Sequence, residues 1–194
     1  MLFSAAVVAL ALVFICVAFI YPYVCSKLLQ QRAVRRLLKD ASAEGYKYRK
    51  FYKNIFTVRN LSYKYDLLIY RDDKVYAVKL WGSKHILSTL VLTDGGRVFE
   101  RRRAVPVVDT SKGSAAHITE RAHSVPKTRL PKKYAKNENV KEILLICPSY
   151  KNIVYEGKGG RVTLNTGDEL FDKELYSPSA FSAKLTCSAD RETA

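Results

Sequence analysis

The hydrophobic pattern opens with the longest apolar run in the chain. From Met1 to Ser26 no residue is charged, and Leu2 to Val24 is almost wholly Ala, Val, Leu, Ile and Phe. At about 1.5 Å per residue this run makes a helix of about 34 Å, enough to cross a hydrocarbon core of about 30 Å. A transmembrane anchor is therefore predicted over 1–26. A cleaved signal peptide fits less well: nothing basic precedes the apolar run, and bulky Tyr21, Pro22 and Tyr23 crowd the one candidate cleavage site around Cys25. Residues 27–43 then place Leu28, Leu29, Ala33, Val34, Leu37 and Leu38 on one stripe at helical spacing, with cations opposite. That pattern predicts a juxtamembrane amphipathic basic helix.

Past Gly45 the period shortens to that of strands. Tyr46, Tyr48, Phe51, Tyr52, Ile55, Phe56 and Val58 alternate with basic residues, which predicts one or two short strands. Three hairpins follow, each marked by its turn. Asp72-Asp73 divides 64–82, Asp94-Gly95-Gly96 joins 85–93 to 97–108, and Gly157-Lys158-Gly159-Gly160 joins 152–157 to 161–166. Between the second and third lies an apolar run, 140–147, suited to a buried strand ended by Pro148. Residues 109–139 are polar and basic and read as a loop region with a helical turn or two. Ser177-Pro178 is an N-cap and first-turn proline for a last helix ending near Leu185, before a tail over 187–194. The expected fold is α/β (α+β): a single N-terminal transmembrane helix, then a basic domain over 44–186 built on one mixed sheet of six to eight strands.

Charge sharpens this picture. Residues 27–136 hold 26 lysines and arginines against 9 acids, net +17, whereas 137–194 hold 7 against 9, net −2. Lys27, Arg32, Arg35, Arg36 and Lys39 crowd the C-terminal flank of the apolar run, and the N-terminal flank has only the free amine. By the positive-inside rule the chain is expected to be a single-pass protein of the cell membrane, its N-terminus outside and its C-terminal domain cytoplasmic. The sequon at Asn60 would then be silent. Cys16, Cys25, Cys147 and Cys187 form no CxxC pair or disulfide framework, in keeping with a reducing compartment. Cys25, at the membrane boundary, is a candidate for acylation.

Candidate chemistry is concentrated in the first hairpin. With Asp72-Asp73 as the turn, facing residues place Asp66 opposite Lys79 and Leu68 opposite Ala77, and the two-residue period turns Ala77 and Lys79 to the same face. A cross-strand charge pair needs no catalysis to explain it and stabilises a sheet by roughly 0.2–1 kcal/mol. The stretch YDLLIYRDDKVYAVKLWG, preceded by a helix and a strand, also resembles the core hairpin of the PD-(D/E)xK nuclease superfamily, in particular its nuclease-related, restriction-endonuclease-like domains. The resemblance implies a catalytic set in which two acids hold Mg²⁺ and a lysine offsets charge on the scissile phosphate. Asp66 and Lys79 carry over; the second acid falls on Ala77, with Glu44 or Glu100 as conceivable substitutes.

The resemblance, so altered, implies a catalytically degenerate domain with no cofactor of its own, Mg²⁺ entering only if the nuclease is active. No other metal site is expected: His117 and His123 stand six apart with no cysteine nearby, and His85 reads as a strand-edge residue. Arg49, Lys50 and Lys53 among aromatics, and the run Arg101, Arg102 and Arg103, are candidate contacts to nucleic acid or to anionic lipid. Three readings are thus open. One is a membrane-anchored nuclease-related domain that binds nucleic acid; another is an interaction protein lying on anionic lipid and docking a protein partner; the third is an active Mg²⁺-dependent nuclease.

Overall fold

Where the hydrophobic period is strongest, regular structure follows it closely. The computed structural model describes residues 2–15, 17, 20–53, 65–82, 88–94, 96–103, 118–123, 128, 139–147 and 150–190. The sequon at Asn60, Cys16, His85, His117 and most of 109–139 lie outside the described residues. In chain order the elements are α1 (Leu2–Ile15), α2 (Tyr21–Ala43), β1 (Lys47–Lys50), β2 (Leu67–Arg71), β3 (Lys74–Trp81), β4 (Thr89–Thr93) and β5 (Val98–Arg103). They continue with β6 (Ile118–His123), β7 (Val140–Ile146), β8 (Asn152–Gly157), β9 (Gly160–Thr163), β10 (Glu174–Tyr176) and α3 (Pro178–Asp190).

The fold is mixed α/β, and the described residues form two five-stranded mixed sheets in place of the single sheet expected. The first runs β1-β2-β3-β7-β10 and the second β6-β5-β4-β8-β9. The reason lies in β3. Its two edges are taken by β2, antiparallel, and β7, parallel, so the β4–β5 hairpin has no edge to join there. It pairs instead with β8, parallel, and with β6, antiparallel. β6 lies inside the stretch read from sequence as loop, and β10 was not expected. All three hairpins form at their marked turns, and Asp72 takes a left-handed conformation, φ 51°, that aspartate tolerates.

Two cores sandwich the first sheet. On one face Val34, Leu37, Leu38 and Ala41 of α2, with Phe181 and Leu185 of α3, pack on Leu67, Ile69, Tyr76, Val78, Leu80, Ile143 and Leu145. On the other, Trp81, Leu144, Ile146 and Leu175 meet Leu90, Leu92 and Val98 of the second sheet. β3 is therefore buried on both faces, as its near-continuous apolar sequence requires. In α2 the buried stripe runs Ser26, Gln30, Val34, Leu37, Leu38 and Ala41, and Gln30 Nε2 donates to the Cys147 carbonyl at 2.9 Å. Leu28 and Leu29, placed on that stripe by the sequence pattern, are instead 42% and 40% exposed.

α2 starts at Tyr21, inside the expected anchor, with proline in its first turn. α1 is apolar on every described side, and Leu10 and Phe14 are among its most exposed residues. No described helix is long and apolar enough to cross a membrane. Residues 16, 18 and 19, between α1 and α2, lie outside the described set. At the other end Ser177 Oγ caps α3 by accepting the Ala180 N–H at 3.2 Å.

Phe181 joins the helices to the sheet, with ring centroids 5.5 Å from Tyr76 and 5.6 Å from Tyr176. Phe181→Ala is expected to destabilise the protein by about 3–5 kcal/mol, read by urea unfolding of the full chain in mild detergent. Val162→Ala, on exposed β9, should stay within about 0.5 kcal/mol.

Candidate functional site

The register of β2 against β3 pairs Leu67 with Val78 and Leu68 with Ala77. Asp66 thus stands opposite Lys79, its N–H donating to the Val78 carbonyl at 3.0 Å. Lys79 Nζ lies 3.1 Å from Asp66 Oδ2, with side-chain exposures of 0% and 7%. The same oxygen accepts the Leu80 N–H at 2.9 Å. The Asp66 carbonyl accepts the Phe51 N–H at 2.9 Å, so this residue also ties the end of β1 to the hairpin.

Full burial changes the physics expected of the pair. Burial pushes the Asp66 carboxyl above the ordinary aspartate range; Lys79, the Leu80 N–H and, more distantly, Lys27 pull it down without cancelling that effect. Tyr52, just past β1 and packed against the helix-covered core, is pushed up to about 12 by burial first and then by the Asp66 charge.

Ala77 shares the face of Lys79 and is fully enclosed by Tyr65, Leu68 and Val75. Across the parallel ladder its partner is Glu142 of β7. That carboxylate accepts hydrogen bonds from Lys173 Nζ, at 3.0 Å, and from Tyr65 Oη. Tyr65 Oη in turn accepts from Thr128 Oγ1 at 3.0 Å. Burial first, and then the bond to Glu142, push the Tyr65 phenol upward. Neither substitute acid takes the place at Ala77. Glu44 caps α2, its carbonyl held by Arg71 Nη1 at 3.1 Å, and Glu100 is buried on β5 of the second sheet.

These residues do not fit the Mg²⁺ that the nuclease resemblance implies. The inner oxygen of Asp66 is saturated by Lys79 and Leu80, Ala77 offers no ligand, and Glu142 is held by Lys173 and Tyr65. Among the described residues no three metal-ligating side chains converge. Sequence reasoning missed Glu142, Tyr65 and Lys173, since parallel pairing between strands some sixty residues apart leaves no local mark.

The expected basic contacts separate into two groups. On β1, an edge strand exposed along its whole length, the Arg49 guanidinium lies 5.4 Å from the Phe51 ring centroid and Lys50 Nζ 5.6 Å from that of Tyr48. Arg49 is registered with Leu68, which puts it on the face that carries Asp66 and Lys79; Lys53 follows on the exposed bend. Arg101 is differently placed. It holds Glu156 with two hydrogen bonds, at 2.8 and 3.0 Å, and Glu120 at 2.8 Å, stitching β5 to β6 and β8. Its hydrogen bond draws the Glu156 carboxyl below the usual range. Arg102 and Arg103 continue β5, but their side chains lie outside the described set.

Comparison with known protein families, with curated proteins and with solved structures finds no match to this chain. What the chain's own geometry establishes is the class: a mixed α/β domain on two mixed sheets, with a buried aspartate–lysine pair at its central hairpin.

Lys79→Met strands the Asp66 carboxylate in the core and is expected to destabilise by about 3–5 kcal/mol. The double variant Asp66→Leu/Lys79→Met should recover most of that loss in denaturant titration. The pH dependence has a definite sign. Folded Asp66 holds its proton more tightly than unfolded Asp66, so its burial costs stability above the raised pKa, and the cost fades as pH falls toward 3.8. The difference in melting temperature between Asp66→Asn and the wild type should therefore shift in favour of the wild type on acidification from neutrality.

Proposed function

We propose that this chain is a membrane-tethered, nuclease-related domain that binds nucleic acid along its basic β1 edge without hydrolysing it. The observation that carries the reading is a division of labour at the hairpin. Asp66 and Lys79 are committed to each other inside the sheet, while Arg49 and Lys50, each beside an aromatic ring, stand in solvent on the adjoining strand. Cations neutralise phosphates and aromatic rings stack on unpaired bases, a combination suited to single strands. Helix, strand and hairpin stand in the order that the nuclease resemblance implies. An active Mg²⁺-dependent nuclease would need a second metal ligand where Ala77 is enclosed.

Tethering is supported by the all-round apolar exposure of α1 and by the cations that follow it. The expected arrangement is a single pass of the cell membrane, N-terminus outside and domain cytoplasmic. A second reading, in which the basic surface lies on anionic lipid, is favoured by one feature: Arg32, Arg35, Arg36 and Lys39 are exposed on α2 beside exposed Leu28 and Leu29.

Full-length protein in uncharged detergent should bind single-stranded DNA or RNA with an affinity that falls as salt rises, without Mg²⁺-dependent cleavage. Arg49→Gln/Lys50→Gln should remove about 1.4 from the slope of log affinity against log salt. Lys151→Gln/Lys158→Gln, an equal loss of charge elsewhere, should leave that slope unchanged. Equal effects of the two pairs would reject the β1 interface, and efficient displacement of nucleic acid by anionic but not neutral vesicles would favour the lipid reading.

A further inference from the structure

A cavity of about 480 Å³ opens between α2 and α3, on the opposite side of the first sheet from Lys79. Its α2 wall carries Leu29, Arg36 and Asp40; its α3 wall carries Ser177, Ser179 and Ser182. The volume lies in the range of small-ligand sites. Arg36 and Asp40 are one turn apart, a spacing at which opposite charges ordinarily meet. Among the described residues they form no ion pair with each other. Asp40 Oδ2 instead accepts the Ser182 hydroxyl at 2.8 Å across the cavity, and Ser177 Oγ and Ser179 Oγ lie 3.2 Å apart. The lining therefore presents a cation, a carboxylate and a pair of hydroxyls on one small surface.

That combination selects its ligand. Asp40 disfavours a bare anion and Arg36 a bare cation, whereas a molecule with both charges, joined by a short linker, satisfies both. We propose that this cavity binds a zwitterionic phosphate headgroup, its phosphate on Arg36 and the serine hydroxyls and its ammonium on Asp40. The position suits a lipid source. On the membrane-anchor reading the Leu29 end of the cavity, five residues past Val24 and about 7.5 Å along a helix, borders the headgroup layer, with Arg36 and Asp40 about 18 and 24 Å past Val24 on its aqueous side. Exposed Leu28 and Leu29 would then stand at the level of the headgroups. Only the lipid source rests on that reading; the headgroup chemistry does not.

The test is calorimetric titration of the full chain in uncharged detergent micelles with dihexanoyl phosphatidylethanolamine, dihexanoyl phosphatidylglycerol and free phosphoethanolamine. Saturable binding of the ethanolamine lipid is expected, weakened about tenfold by Arg36→Gln and by Asp40→Asn. Lys39→Gln, the same loss of charge outside the cavity, should change nothing. If either cavity variant lowers the melting temperature, Ala33→Phe, which fills the cavity from its apolar wall, should abolish binding instead. Free phosphoethanolamine binding as tightly as the lipid supports the headgroup site and assigns it to the soluble compound; binding of the lipid alone supports the same site and assigns it to the membrane. Equal binding of the glycerol lipid, no binding of any probe, or an Asp40→Asn effect no larger than that of Lys39→Gln overturns the proposal. Micelle binding does not depend on α1 crossing a bilayer, so extraction of the protein from membranes by carbonate would refute the anchor and leave this result standing.

Discussion

A lysine ammonium with no exposure sits in the middle of this fold, and one carboxylate keeps it there. Withdrawing each ion from water costs several kcal/mol. The contact between Lys79 and Asp66, with the Leu80 N–H on the same oxygen, offsets that cost only in the observed register of β2 and β3. A slip by one residue would pair Asp66 with Leu80 and Lys79 with Leu67, leaving the two charges on opposite faces of the sheet without each other. The pair thus specifies the hairpin, and the hairpin supplies the edge on which β7 and then β10 assemble.

Burial of this pair also decides where the chain's positive charge can act. Lys79 is spent on Asp66, Lys173 on Glu142, and Arg101 on Glu120 and Glu156. These cations tie segments together within each sheet, and each is already paired with a carboxylate. Among the described residues the exposed row on α2 and the edge strand β1 stay open to partners, and β1 carries the aromatic neighbours. A single net charge for the chain conceals this separation of structural from available cations.

Sequence showed the local half of this structure and little of the distant half. Hairpins were legible because Asp72-Asp73, Asp94-Gly95-Gly96 and Gly157-Lys158-Gly159-Gly160 are turn chemistry between β-rich runs. The facing of Asp66 and Lys79 followed from counting outward from the first turn. That the pair is buried did not follow, because the cover comes from helices and a second sheet far along the chain. The ladders β3 to β7 and β4 to β8 are parallel and link segments some sixty residues apart, so no local pattern announces them. Glu142 beside Ala77 is hidden for that reason. β10 has three residues, too few to show a period. In α2 the run of leucines outweighed Ser26 and Gln30, which the fold buries, Gln30 through its hydrogen bond to the Cys147 carbonyl, while Leu28 and Leu29 stay outside.

On the proposed reading Asp66 and Lys79 build the site without performing its function. The most direct test is nucleic-acid affinity of the Asp66→Leu/Lys79→Met double variant, measured on folded full-length protein beside the wild type. Unchanged affinity is the result expected of a structural pair. A large loss of binding in a variant that unfolds at the wild-type denaturant concentration would contradict it, by showing that the buried charges themselves act on the ligand.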